Sequence, residues 1–146
     1  MVDLQLIQSK IYEIRGQRVM LDFDLAQMYG TETKVLKQAV KRNIKRFPTD
    51  FMFELNKEEF EFLRSQFVTS NQRGGTRYMP FAFTEQGVAM LSSILNSEVA
   101  IEINISIMRA FIAVRQLIAN PPPDKHSLLQ KEVKELKQYI EEIFTD

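Results

Sequence analysis

Residues 33–49, TKVLKQAVKRNIKRFPT, carry six basic residues and no acidic one, in a chain of 146 residues whose nineteen Lys and Arg balance nineteen Asp and Glu. The charge is therefore concentrated locally. On a helix turning about 100° per residue, Leu36, Val40, Asn43, Ile44 and Phe47 share one arc roughly 100° wide. Lys34, Lys37, Lys41 and Lys45 fall on the opposite arc, with Gln38 among them and Arg42 at its edge. One face can dock on a protein core while the other offers cations outward, as a nucleic-acid backbone requires. A plain solvated helix is the other reading. Solvated faces usually mix signs at i,i+4 spacing, and this segment holds no Glu or Asp.

The residues just upstream sharpen the pattern. Asp24 can cap a short helix, Leu25-Ala26-Gln27-Met28-Tyr29, which should end at Gly30 in the left-handed conformation. Thr31 or Thr33 would then cap the basic helix, and Phe47-Pro48 would stop it, because the residue before proline is pushed out of the helical region. Two helices joined by a tight Gly-containing turn form a helix-turn-helix layout, with the second helix placed to enter a major groove.

Around this pair the chain alternates short strands and helices. IYEIR (11–15) and RVML (18–21) flank Gly16-Gln17, a plausible hairpin turn. Phe51–Leu55 reads as a third strand. Asn56 with Glu59 three residues on has capping-box spacing, and Phe60, Leu63 and Phe67 give the helix that follows an apolar stripe. Residues 68–76 form a polar loop. Tyr78–Phe83 reads as a fourth strand, which Pro80 would confine to an edge or a bulge. Thr84 caps a helix that turns Val88, Leu91, Ile94 and Leu95 inward. From Ser97 to Ala119 apolar residues fit both periods, and the helical spacing of the second half favours one long helix at the centre of the core.

Pro121-Pro122-Pro123 breaks that helix. Beyond it Leu129, Val133, Leu136, Ile140 and Ile143 step by 4, 3, 4 and 3, a coiled-coil seam. Val133 and Ile140 at a, with Leu129 and Leu136 at d, favour a parallel two-stranded coil in which Glu132 faces Lys137 of the partner. A lone amphipathic helix folding back on its own domain is the alternative. The expected organisation is a domain at 1–120, a proline linker at 121–124 and a terminal helix at 125–146.

Composition narrows the classes further. A 45% hydrophobic content with eleven Phe supports a real core and excludes disorder for most of the chain. The absence of cysteine removes disulfides, thiolate catalysis and cysteine-ligated zinc. No early apolar run resembles a signal peptide and no stretch approaches a membrane span, so a cytoplasmic location is expected.

In order, IYEIRGQRVMLDFDLAQMYG, KRNIKRFPTDFMFEL, LRSQ, TSN-RGG-RY, PFAFTEQGVAML and INISIMRAF resemble the KilA-N-like family of phage and bacterial domains often called the ORF-six-N type. The similarity covers roughly residues 8–118. It implies a compact α+β fold related to the Bro N-terminal domain, and a DNA-binding role in phage regulatory or antirepressor-like proteins. The family's base-contacting residues do not transfer one by one, so the site residues rest on the helical arcs.

Other constellations add little. Arg73-Gly74-Gly75-Thr76-Arg77 could be a wing, since glycines let backbone N–H groups approach a phosphate between two guanidiniums. A plain turn fits it as well. Glu58, Glu59 and Glu61 spread around a helix and suit its N-terminal dipole better than a metal. Asp22 and Asp24 read as turn and cap, and His126 stands alone. No nucleophile–base pair can be assembled, so no enzyme, cofactor or small-molecule substrate is expected.

The expectation is an α+β domain: a small antiparallel sheet of about four short strands, a helix-turn-helix-like pair, a long core helix and a coiled-coil helix. It would bind double-stranded DNA through Lys34, Lys37, Gln38, Lys41, Arg42, Lys45, Arg73 and Arg77, and pair as a homodimer through Leu129, Val133, Leu136, Ile140 and Ile143. The alternative is an antirepressor that binds a phage or host repressor protein instead of DNA.

Overall fold

The computed structural model describes residues 3–66, 78–120 and 125–144, with the side chains of 125–128 and 144 left aside. Phe67, the loop with its Arg73 and Arg77, the triple proline and the His126 side chain lie outside what is described. Two compact units emerge, residues 1–114 and 115–146.

Within the first unit, α1 (Leu4–Gln8) leads into β1 (Tyr12–Ile14) and β2 (Gln17–Leu21). The partners Ile14 and Gln17 leave Arg15-Gly16 as the two turn residues, both at positive φ (56° and 73°). That is the type I′ geometry whose twist matches a hairpin. The turn thus sits one residue earlier than expected, because Gln17 pairs across the strands. Arg15 is held in its strained conformation by contacts at the hairpin's end. Its guanidinium donates to both Glu59 carboxylate oxygens, at 2.8 and 3.0 Å, and lies 4.4 Å from the centre of the Phe53 ring.

β3 (Met52–Glu54) and β4 (Phe81–Thr84) complete a four-stranded antiparallel sheet in the order β1-β2-β4-β3. β4 is therefore an inner strand, not the edge that Pro80 suggested. The proline stands just before the strand, where its carbonyl still accepts Leu55 N–H at 3.0 Å and its missing donor breaks no ladder.

The sheet is apolar on both faces, which the two-residue period of its strands sorts cleanly. Met20, Met52, Phe81 and Phe83 face one core with Ile7. That core is closed by α2 (Asp22–Tyr29), α3 (Thr33–Arg42), α5 (Glu85–Leu95) and α6 (Glu98–Ala119). Ile14, Val19, Leu21, Phe53 and Ala82 face the other, closed by Phe60 and Leu63 of α4 (Lys57–Arg64). Asn56 and Glu59 form the expected capping box at the head of α4. Thr84 likewise caps α5, accepting from Gly87 N–H.

α6 is not the central helix that its many apolar residues implied. Ala100, Asn104, Ile107, Ala110 and Phe111 are buried, while Val99, Ile101, Ile105 and Ile112 stand in solvent. One face meets the core, and the strand-like alternation in its first half is divided, with Ile103 and Ile107 inward and Val99, Ile101 and Ile105 outward. Asn104 is fully used, donating to Val88 carbonyl and the Ser92 hydroxyl while accepting from the Tyr29 hydroxyl. It thereby ties α6 to α5 and α2.

In the second unit, α7 (Lys125–Phe144) is a continuous helix. Leu129, Val133, Leu136, Ile140 and Ile143 are 46–60% exposed along it. No helix among the described residues is long and apolar enough to cross a membrane.

Candidate nucleic-acid interface

α2 begins at Asp22, three residues earlier than a cap at Asp24 would require, and Leu21 precedes it without a side-chain cap. Asp22 and Asp24 are both buried, at 1% and 6% exposure, so neither is a surface turn or cap residue. Gly30 ends α2 in the left-handed conformation as expected, φ 76°. Glu32, not a threonine, precedes α3, and it makes no capping bond.

α3 also ends sooner than Phe47. Asn43 turns its amide back onto Ala39 carbonyl at 2.8 Å, and Ile44–Arg46 continue as a 3-10 turn. A side chain competing for backbone acceptors loosens a helix in this way. Phe47 then plugs the core, edge-on to Phe83 with centroids 5.9 Å apart. Leu36 and Val40 are fully buried. The basic segment is thus pinned at three points along its apolar side. Ile44, expected among them, is 52% exposed, because the tighter turn rotates it outward.

On the opposite side Lys34, Gln38, Lys41, Arg42, Lys45 and Arg46 are exposed. None of these cations forms a salt bridge with a described carboxylate; Arg46 alone is engaged, donating to the Ser93 hydroxyl at 3.2 Å. Arg46 was missed by the arc assignment, though its charge was plain in the sequence.

Lys37 departs from the expected free face. Its side chain is 15% exposed and its ammonium lies 3.6 Å from Asp22 Oδ2. It donates to Met79 carbonyl at 2.9 Å and sits over the Phe81 ring at 4.6 Å. A long aliphatic stem lets the charge turn back toward the core from the border of the solvent arc. Burial raises the Asp22 carboxyl, against the Phe81 N–H and the Lys37 charge that lower it. The pair locks α3 to α2 and β4 and leaves Lys37 little surface to offer a ligand.

No group of three His, Cys, Asp or Glu among the described residues could hold a metal ion. What the arrangement can do is electrostatic: five lysines and arginines are displayed on a short, firmly docked segment with no salt bridge to a described carboxylate.

The fold and site define an α+β module carrying a cationic helix after a tight two-helix turn. Residues 9–94 match the ORF6N domain model, more than half of the chain, and the chain belongs to that phage-associated family. No curated protein and no solved structure matches the chain.

Proposed function

We propose that this chain is a double-stranded DNA-binding regulatory module of phage or mobile-element type, acting in the cytoplasm. The exposed side of α3 and its 3-10 extension enters the major groove. Support comes chiefly from one observation: Lys34, Lys41, Arg42, Lys45 and Arg46 face solvent with no described carboxylate bridging them. A face kept soluble for its own sake would interleave acids. By the geometry of such helix pairs, Lys34 and Gln38, near the N-terminus, meet base edges while later cations grip phosphates. Lys37 serves as the anchor of α3 instead. The module binds as a homodimer through the exposed Leu129, Val133, Leu136, Ile140 and Ile143 stripe.

A mobility shift with the full chain and random duplex DNA tests the reading, because it needs no other protein. Binding should weaken with salt at a slope near −4 to −5 in log–log form, the value for about five phosphates neutralised per protomer. No shift at low salt would overturn it in favour of an antirepressor that docks on another regulator. Selection from a randomised pool should return half-sites about 10 base pairs apart.

A further inference from the structure

Gln38 stands at the centre of the solvent arc of α3, about 180° from the midpoint of Leu36 and Val40 on a helix turning about 100° per residue. It is exposed and makes no hydrogen bond with a described residue. One turn before it lies Val35, an aliphatic side chain left 48% exposed on the same cationic face. Residues three apart on a helix are surface neighbours. An exposed valine is ordinary by itself, but this one stands among cations with about half of its surface in solvent. It is β-branched, hence a mediocre helix former, so local helix propensity does not account for it. Lys34, Lys41 and Lys45 cluster on the other flank of Gln38, while Arg42 shares the Val35 flank two turns further on. In the first turns of α3 an amide and two methyls therefore hold the middle and one edge of the face.

That pairing has a complement in the major groove. Adenine presents N7 and N6–H₂ to an amide, and thymine presents a C5 methyl to an apolar group. Resting on the DNA-binding reading, we infer that Val35 and Gln38 form a specificity pair for A·T base pairs. Gln38 engages an adenine edge while the Val35 methyls pack on a thymine methyl at the same or the neighbouring step. Lys41 and Lys45 supply the phosphate contacts that hold this register.

The test uses the full chain and a site selected from a randomised DNA pool. Thymines in that site are replaced one at a time by uracil, which removes only the C5 methyl. One replacement should weaken wild-type binding about four-fold, the worth of one buried methyl-sized group, and Val35→Ala should bind thymine and uracil forms equally. Gln38→Ala should lose about ten-fold or more at a selected A·T pair, relative to G·C there. Both variants favour the helix and should remain folded by circular dichroism. Uracil tolerated at every position, or a Val35→Ala protein still sensitive to it, overturns the inference while salt-dependent binding leaves the broader reading standing. Absence of any binding overturns both.

Discussion

The ammonium of Lys37 stands 3.6 Å from Asp22 Oδ2, and the same oxygen accepts the Phe81 backbone N–H at 2.9 Å. One carboxylate therefore joins α2, α3 and β4. Removing the lysine strands a charge in a site where burial already disfavours it. Lys37→Met should cost about 2–4 kcal/mol in urea denaturation, by the usual penalty for breaking a buried pair. Asp22→Asn/Lys37→Met should cost less than the sum of the single changes. A single variant as stable as wild type would contradict this account of α3.

The exposed cations should behave oppositely. Lys41→Ala, Arg42→Ala and Lys45→Ala should each change stability by no more than about 0.5 kcal/mol. Each should also flatten the salt dependence of DNA binding by about one unit of slope if it contacts a phosphate. Filter binding across a salt series measures the slope, and an unchanged slope in all three would remove the helix from the interface.

Asp24 should make the fold sensitive to mild acid in an unusual direction. Burial pushes its carboxyl up to about 6, with Lys10, 3.9 Å away, opposing and Asp22 adding. Between about pH 4 and 6 the folded chain keeps a proton that the unfolded chain has lost, so this group's contribution falls as pH rises. Asp24→Asn should be more stable than wild type by about 3 kcal/mol at pH 7, on the conversion of roughly 1.4 kcal/mol per pKa unit. At pH 3.5 the two should be nearly equal. An advantage of the same size at both values would rule out the titration.

Gly87→Ala tests a backbone contact. Alanine in a helix ordinarily stabilises by about 1 kcal/mol over glycine. Here a Cβ would run into the Phe51 carbonyl, which also accepts Thr84 N–H at 3.0 Å. The substitution should instead destabilise by about 2 kcal/mol or more, as overpacking does. Thermal unfolding followed by circular dichroism reads the sign directly.

The pairing of α7 can be trapped chemically, since the chain has no cysteine of its own. In a parallel coil two d positions meet across the seam. Leu129→Cys should cross-link to a covalent dimer on mild oxidation, visible on a non-reducing gel. Adding Val133→Asp should abolish the cross-link and leave a monomer by light scattering. A Leu129→Cys protein that stays monomeric under oxidation would exclude the parallel arrangement.

Much of this architecture was legible because it depends on local period. Leu36 and Val40 follow the helical repeat, Asn56 and Glu59 the capping spacing, and β2 and β4 the alternation of a sheet. Some errors were local, as where the Asn43 amide turned back on Ala39 and rotated Ile44 outward. In others a contact distant in the chain overrode a local rule. Lys37 sat on the solvent arc until Asp22 and the Met79 carbonyl, distant in sequence, drew it inward. Asp24 looked like a cap because no local signal reveals that it is buried with Lys10 3.9 Å away. Pro80 suggested an edge because a proline's own neighbours do not report which strands flank the next one. The exposed edge of α6 was hidden by an apolar content that reads the same for one buried face or two.

The order β1-β2-β4-β3 also shapes how the chain reaches its fold. β1 and β2 can zip together across two residues, but β2 and β3 gain their shared neighbour only when residues 81–84 arrive. Bringing β4 to β2 closes a loop of about sixty residues, an entropic toll that rises only slowly with length but must be met before any packing rewards it. A nascent chain paused on the ribosome before that point carries two half-dressed strands, which residues 81–84 must join before the sheet can close.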